Sequence, residues 1–492
     1  MKQRDQWGTR LGFILAAVGS AIGLGNIWRF PYMVYENGGG AFLIPYFVAV
    51  FTAGIPLLIL EFGVGQKYAG STPVTFRTLK ENWGWIGWWQ VLVSFAIACY
   101  YVVIIGWSIS YLFFSFDLKW GTETGAFFFN EYLHISKGAF DLGGIQWHIL
   151  GPVTFVWLVC WGVIISGVKQ GIEKANKFFM PALFVMVILI MAKAVTMPGA
   201  VDGLNWLFKP DFSKLGDIKV WTAAYGQIFY SLSIGFAIMI TYSSYLPEDS
   251  DINNNAFMTA FINCGFSMLS GVMIFSVLGY MAAQKGVGIQ EVVSSGVGLA
   301  FVTIPQAINA MPGSAFIGAL FFLSLIFAGT SSMISICEAC IAGILEGFDV
   351  SRKTATTVMC GIGYVVSIVF TTGGGLYVLD IADHFIMNYA VLVCGVIEVA
   401  LLSWFFNLEE IREHVNRHSD FVVGQWWSIC LKFFTTFAVA YMLVLKFIGD
   451  IKTPYEGYPA PALGVYGWAL VAILPVIAFV FYKNDALSKK EA

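Results

Sequence analysis

Long apolar stretches separated by short polar gaps dominate this chain. About twelve of them approach the ~20 residues that a helix needs to cross a bilayer. They run approximately over 11–35, 40–66, 86–116, 149–168, 175–197, 221–245, 255–284, 314–346, 353–372, 376–406, 422–447 and 462–483. Several exceed that minimum, which predicts tilted spans. Two of the twelve carry a broken helical pattern. The first reads GSAIGLGNIWRFP (Gly19–Pro31) and the sixth GQIFYSLSIGF (Gly226–Phe236). A thirteenth apolar run, GVGLAFVTIPQAI (Gly296–Ile308), is punctuated and predicts a re-entrant hairpin over a vestibule.

Composition turns this pattern into a fold class. Of 492 residues, 58% are hydrophobic and 12% charged, with a mean hydropathy of +0.75. A soluble domain carries roughly a quarter charged residues, so the solvent for this surface is lipid. A net charge of −3 indicates neither a nucleic-acid partner nor a polybasic lipid anchor. All eight cysteines fall in apolar segments without metal-ligand spacing. No cleavable signal peptide is visible, because the first apolar run is long and its polar head short. With both ends cytoplasmic, inner segments hold more Lys and Arg than outer loops. The loop at 198–220 and the acidic turn Glu248–Asp251 are the exceptions. Tryptophans crowd the boundaries, as in NWGWIGWWQ (Asn82–Gln90), where indoles suit the headgroup layer.

A helix that unwinds inside a membrane must line a protected cavity, since lipid cannot satisfy its freed carbonyls and amides. The carbonyl ends can then hold a cation and the amide ends an anionic group. Breaks five spans apart point to a transporter built from inverted repeats. Glycines alone also fit close helix packing of the GxxxG kind, as Gly19 and Gly23 do. Packing requires neither the amide of Asn26 nor the guanidinium of Arg29, so the cavity is the better reading.

RLGFILAAVGSAIGLGNIWRFPY followed by ENGGGAFLIPY resembles the first two helices of the neurotransmitter:sodium symporters. GQIFYSLSIGF, FINCGFS and SWFF are similar to the family's sixth, seventh and tenth helices. The resemblance implies an all-α polytopic membrane protein of about 12 transmembrane helices. Helices 1–5 (11–197) and 6–10 (221–406) would form a 5+5 inverted repeat with helices 1 and 6 unwound. An outer loop (198–220), two accessory helices (407–483) and short cytoplasmic ends (1–10, 484–492) complete it.

Carried over by resemblance, a first sodium site uses Ala21, Asn26, Ser231 and Asn263. A second uses Gly19, Ile22, Ala328, Ser331 and Ser332, with a register in helix 8 that a one-residue shift would move to Thr330. Without the resemblance, Ser331 and Ser332 read as hydroxyls bonded back to their own helix. The substrate would be held by Ala21, Leu24, Gly25, Tyr101, Tyr230, Ser231, Ser233 and Ser332, with Ile97, Tyr230, Phe236 and Ile336 around its side chain. Monoamine carriers resemble the motif but place an aspartate at Gly23, so a substrate bringing its own carboxylate is expected here. Arg29 and Asp383 would form an outer gate, and Arg4 and Glu346 an inner one. Where the bacterial leucine transporter has a glutamate this chain has Ser267. Tyr46, Gln227, Ser231 and Ser267 match the chloride site of the chloride-dependent relatives.

The reading is a sodium-coupled symporter for a neutral, hydrophobic α-amino acid, with two sodium ions and chloride dependence, and no enzyme chemistry. Its partners would be an amino-acid substrate and the lipid bilayer, with the chain a monomer or homodimer. It would be a multi-pass cell-membrane protein with both termini cytoplasmic. Short termini, and an outer loop without paired cysteines or N-x-S/T sites, point to a prokaryotic inner membrane. A proton-coupled transporter or exchanger of the same fold, using Glu61, Glu338 or Glu398, stays open beside it. So does a non-transporting amino-acid sensor. For those three carboxylates, structural hydrogen bonding is the favoured reading over proton coupling.

Overall fold

A computed structural model describes residues 5–486. Among these, helix accounts for nearly all regular structure, and only two isolated bridges occur, Gly39 with Pro210 and Ile145 with Thr372. Ten helices are long and apolar enough to cross a bilayer, and one more span is bent by 65° between Arg10–Ala21 and Leu24–Glu36. The bent helix is span 1. It is followed by span 2 (Gly40–Tyr68), span 3 (Glu81–Phe114), span 4 (Trp147–Ile165) and span 5 (Val168–Ala194). Span 6 is split into Ile218–Ser231 and Ile238–Ser243, each too short to cross alone. Then come span 7 (Ile252–Lys285), span 8 (Ser314–Phe348), span 9 (Arg352–Thr371), span 10 (Gly375–Phe405), span 11 (Gln425–Gly457) and span 12 (Ala460–Asn484).

Burial sorts these helices into core and rim. Span 8 has 78% of its apolar window buried inside the protein, whereas spans 11 and 12 have 28% and 22%. The rim helices expose Phe433, Phe437, Ile451 and Phe479, an apolar surface of the kind lipid covers. Span 3 packs along span 8 over much of its length. Both exceed 30 residues, so they cross the membrane tilted.

Span 1 begins where the Thr9 hydroxyl accepts the Gly12 N–H at 3.0 Å, and it runs to Ala21. Ile22 and Gly23 are extended, and the helix restarts at Leu24 with the Asn26 amide oxygen accepting the Gly23 N–H at 3.1 Å. In span 6 the chain leaves the helix for residues 232–237. Ser233, Gly235 and Ala237 there take left-handed φ values of 54°, 77° and 61°. Glycine adopts that region freely, but serine and alanine do so at a cost of order 1 kcal/mol each. Side chains from elsewhere hold the break in place. Glu61 Oε1 accepts the Gly235 N–H at 2.8 Å, and the Ser94 hydroxyl donates to the Phe236 carbonyl at 2.6 Å. The hydroxyls of Thr72 and Thr241 donate to the Ala237 carbonyl at 3.1 and 2.7 Å.

Two expectations need correction. The segment 296–308 is one short apolar helix, Gly296–Asn309, and not a hairpin. Gly298 stays at a helical φ of −61°, so nothing reverses the chain. Phe301 instead anchors the segment against Trp107, Tyr111 and Phe322. Span 5 begins at Val168, not 175, because a π-wound turn (Val168–Ile172) carries Lys169 into the helix and the Glu173–Lys177 pair (2.6 Å) continues it. All eight cysteines are buried and unpaired.

Candidate functional site

The two breaks meet at mid-depth. The Ser233 hydroxyl donates to the Ser20 carbonyl at 3.2 Å, tying the break of span 6 to that of span 1. Beside it, the Asn26 amide nitrogen lies 3.1 Å from Ser231 Oγ, 2.9 Å from Asn263 Oδ1 and 2.8 Å from Ser267 Oγ. Asn26 and Asn263 are buried and bonded to one another, and Asn263 Nδ2 donates to Ser231 Oγ at 2.8 Å. Ala21 ends the helical half immediately before this cluster. Three of the four proposed ligands of the first sodium site therefore share one hydrogen-bonded knot, in which Ser231 and Asn263 present the hard oxygens that an alkali cation takes, while Asn26 presents its amide nitrogen because the Gly23 N–H holds its oxygen.

On the other side of the span 1 break, the Ser332 hydroxyl reaches the carbonyls of Gly19 and Ser20 at 3.2 Å and of Ile22 at 3.5 Å. Ser331 behaves differently. Its hydroxyl donates to Ala328 in its own helix at 2.9 Å, so of this serine pair only Ser332 crosses to span 1. Ala328 is fully buried at the same level of span 8.

Between these clusters the Leu24 N–H donates to the Tyr101 hydroxyl at 3.4 Å. A Cβ at Gly23 would meet Ser332 Oγ at 3.1 Å and Tyr101 Oη at 3.3 Å, whereas one at Gly25 would meet nothing within 4 Å. Gly23, Gly25, Tyr101 and Tyr230 are half-buried, and Ile97, Phe236 and Ile336 are buried. The result is a small space with amide and hydroxyl groups at one end. Tyr46 and Ser267 are both fully buried, and the Tyr46 hydroxyl lies beside Cys264 and Ser267 with no well-formed hydrogen bond among the described residues.

The model of the sodium:neurotransmitter symporter family matches residues 4–125 and 119–487. An uncharacterized sodium-dependent transporter of Methanocaldococcus jannaschii is 42% identical over 486 residues, covering 99% of each chain. The sodium-dependent dopamine transporter of Caenorhabditis elegans is 30% identical over 549 residues, spanning 99% of this chain and 89% of its own length. The chain belongs to the sodium:neurotransmitter symporter family. It is a sodium-dependent secondary transporter and not an enzyme.

In this symporter Arg29 and Asp383, expected as an outer gate, are not paired. Arg29 donates to Gln227 Oε1 at 3.2 Å, and its guanidinium lies 4.7 Å from the centre of the Tyr230 ring. Asp383 is exposed and near enough to act on Arg29 electrostatically, yet among the described residues the two form no ion pair within 4.0 Å. The cation–π contact and the glutamine hold the guanidinium short of the carboxylate. The same bond occupies the oxygen of Gln227. Arg4 lies outside the described residues. Its expected partner Glu346 accepts the Ser71 N–H at 2.6 Å.

The three intramembrane carboxylates are all engaged. Glu61 holds the span 6 break, Gln90 donates to Glu398 at 2.6 Å, and Glu338 takes both arms of Arg352 at 2.7 and 2.8 Å together with the Tyr245 hydroxyl at 2.7 Å. Sequence reasoning missed Ser20, Thr72 and Ser94, which support the breaks. Hydroxyls inside apolar runs are common and mostly back-bonded, so only the fold distinguishes these three.

Proposed function

We propose that this symporter couples sodium to the import of a neutral, hydrophobic α-amino acid by alternating access, with both termini in the cytoplasm. Glycine at position 23 carries the reading. Among the described residues no carboxylate stands at the amide end of the pocket, where the Gly25 N–H, the Leu24 N–H and the Tyr101 hydroxyl, the last two now bonded to one another, could turn to one. An amino-acid carboxylate would give them a charged acceptor, whereas an amine lacking one offers them none. The ammonium would meet Ala21, Tyr230, Ser231 and Ser233, and the side chain Ile97, Phe236 and Ile336. Asn26, Ser231 and Asn263 would hold one sodium with Ala21. Gly19, Ile22, Ala328, Ser331 and Ser332 would hold a second. Tyr46, Gln227, Ser231 and Ser267 would take chloride, which offsets the cation's charge where the dielectric is low. The buried Tyr46 hydroxyl beside Ser267 supports that anion site.

The test is binding of a panel of labelled amino acids to purified protein in sodium and in potassium. Sodium-dependent binding of one or a few neutral amino acids, abolished in Asn26→Ala, is the expected result. Binding indifferent to sodium but dependent on pH would replace sodium coupling with proton coupling.

A further inference from the structure

Asn176 is a polar residue in span 5 to which nothing above assigns a role. It is fully buried and faces Gly19, the last-turn glycine of the first half of span 1. A methyl group on Gly19 would overlap the Asn176 amide oxygen, so the two groups are in direct contact. The amide nitrogen donates to the Ile172 carbonyl at 3.0 Å. That bond fixes the orientation, because a flipped amide would set oxygen against oxygen. The amide oxygen therefore faces Gly19, and it has no hydrogen-bond partner among the described residues.

Packing two helices at a glycine requires no amide, and a buried acceptor left unpaired is unfavourable. The Gly19 carbonyl is one of the three that the Ser332 hydroxyl approaches. The unpaired oxygen thus stands on the span 5 side of the group of oxygens read above as the second sodium site, all of which are uncharged. We propose that Asn176 is a sodium-facing residue of that site, supplying a further oxygen from span 5. The proposal rests on the assignment of Gly19, Ile22, Ala328, Ser331 and Ser332 to sodium.

The experiment titrates sodium against the purified full-length protein and reads two quantities: thermal stabilisation without substrate, and half-maximal amino-acid binding. Asn176→Asp keeps the shape of the side chain and adds a charge. It should lower the half-saturating sodium concentration by roughly threefold or more, the factor that one charge brings near a cation even when well screened. Asn176→Ala should raise it. Melting in potassium shows that each variant is folded, and Ser332→Ala serves as the control for the site. If Ser332→Ala shifts the sodium dependence while both Asn176 variants keep that of the wild type, Asn176 is a packing residue and the proposal fails. If Ser332→Ala also leaves sodium dependence unchanged, the site assignment itself falls, and the proposal with it.

Discussion

Gly23→Ala adds one methyl group at the point on which the substrate class depends. Gly23 has φ −117° and ψ −166°, extended backbone that alanine adopts without strain. The methyl would lie 3.1 Å from Ser332 Oγ and 3.3 Å from Tyr101 Oη, so neighbours must yield by a few tenths of an ångström. Such overpacking at the edge of a cavity costs the fold about 1 kcal/mol. Binding should suffer far more. The methyl takes the space in which a substrate carboxylate would meet the Leu24 N–H and the Tyr101 hydroxyl. Losing two hydrogen bonds to a charged group, at about 1.5–3 kcal/mol each, gives about 3–6 kcal/mol. That is a roughly 10²- to 10⁴-fold weaker Kd.

The assay is a binding isotherm of the labelled amino acid at saturating sodium, with ligand-free melting as the control for folding. A folded Gly23→Ala protein that binds within about threefold of wild type, well short of those two bonds, would show that the carboxylate is held elsewhere. Gly23→Asp sharpens the test, since its own carboxylate should exclude amino acids and favour an amine that lacks one.

Three further expectations follow from other parts of the structure. Ser267 is buried 2.8 Å from the Asn26 amide, so Ser267→Glu should make binding independent of chloride, while wild-type binding falls when gluconate replaces it. Wild-type transport unchanged in gluconate would refute the chloride site. Arg77 and Asp485 form an ion pair at 2.7 Å with side chains 8% and 3% exposed, so Asp485→Ala should cost about 3–5 kcal/mol and lower the melting temperature. An unchanged melting temperature would mean that the pair is solvated. His414, between spans 10 and 11, donates from Nε2 to the Gln66 amide oxygen at 3.1 Å. Burial, then Lys67 and Arg417, push its pKa down to about 4, below the ~6.5 of an unfolded chain. The unfolded chain therefore takes up the proton first, and stability should fall as pH drops from about 6.5 towards 4. Melting scans from neutral to acid pH should show this slope weakened in His414→Gln.

Much of the fold was legible because the bilayer imposes a simple length rule. Spans 2, 3, 7, 8, 9, 10 and 12 begin and end within about five residues of their apolar runs. Span 5 and the end of span 11 were misjudged where charged residues extend a helix past its apolar limit, as Lys169 and Lys452 do. Both breaks were legible because glycine, serine and asparagine cluster there. The partners of the breaks were not. Glu61 and Ser94 sit in spans 2 and 3, and no local pattern shows that they face residues 235 and 236. Ser331 and Ser332 make the same point, for only the helix phase set by packing turns one hydroxyl inward and the other across.

The position of the breaks also bears on coupling. Ser332 touches the carbonyls of Gly19, Ser20 and Ile22, and Asn26 caps Gly23, so two candidate cation sites and the candidate pocket crowd around one break at Ile22 and Gly23. A cation that orders this segment lowers the ordering cost left to the substrate, and the effect is reciprocal. Whatever factor sodium adds to substrate affinity, the substrate must add to sodium affinity. Ser233 extends the linkage to span 6 through the Ser20 carbonyl, so the break of span 1 is tied directly to that of span 6. Coupling on this view needs no long pathway, because the candidate sites adjoin the two breaks themselves.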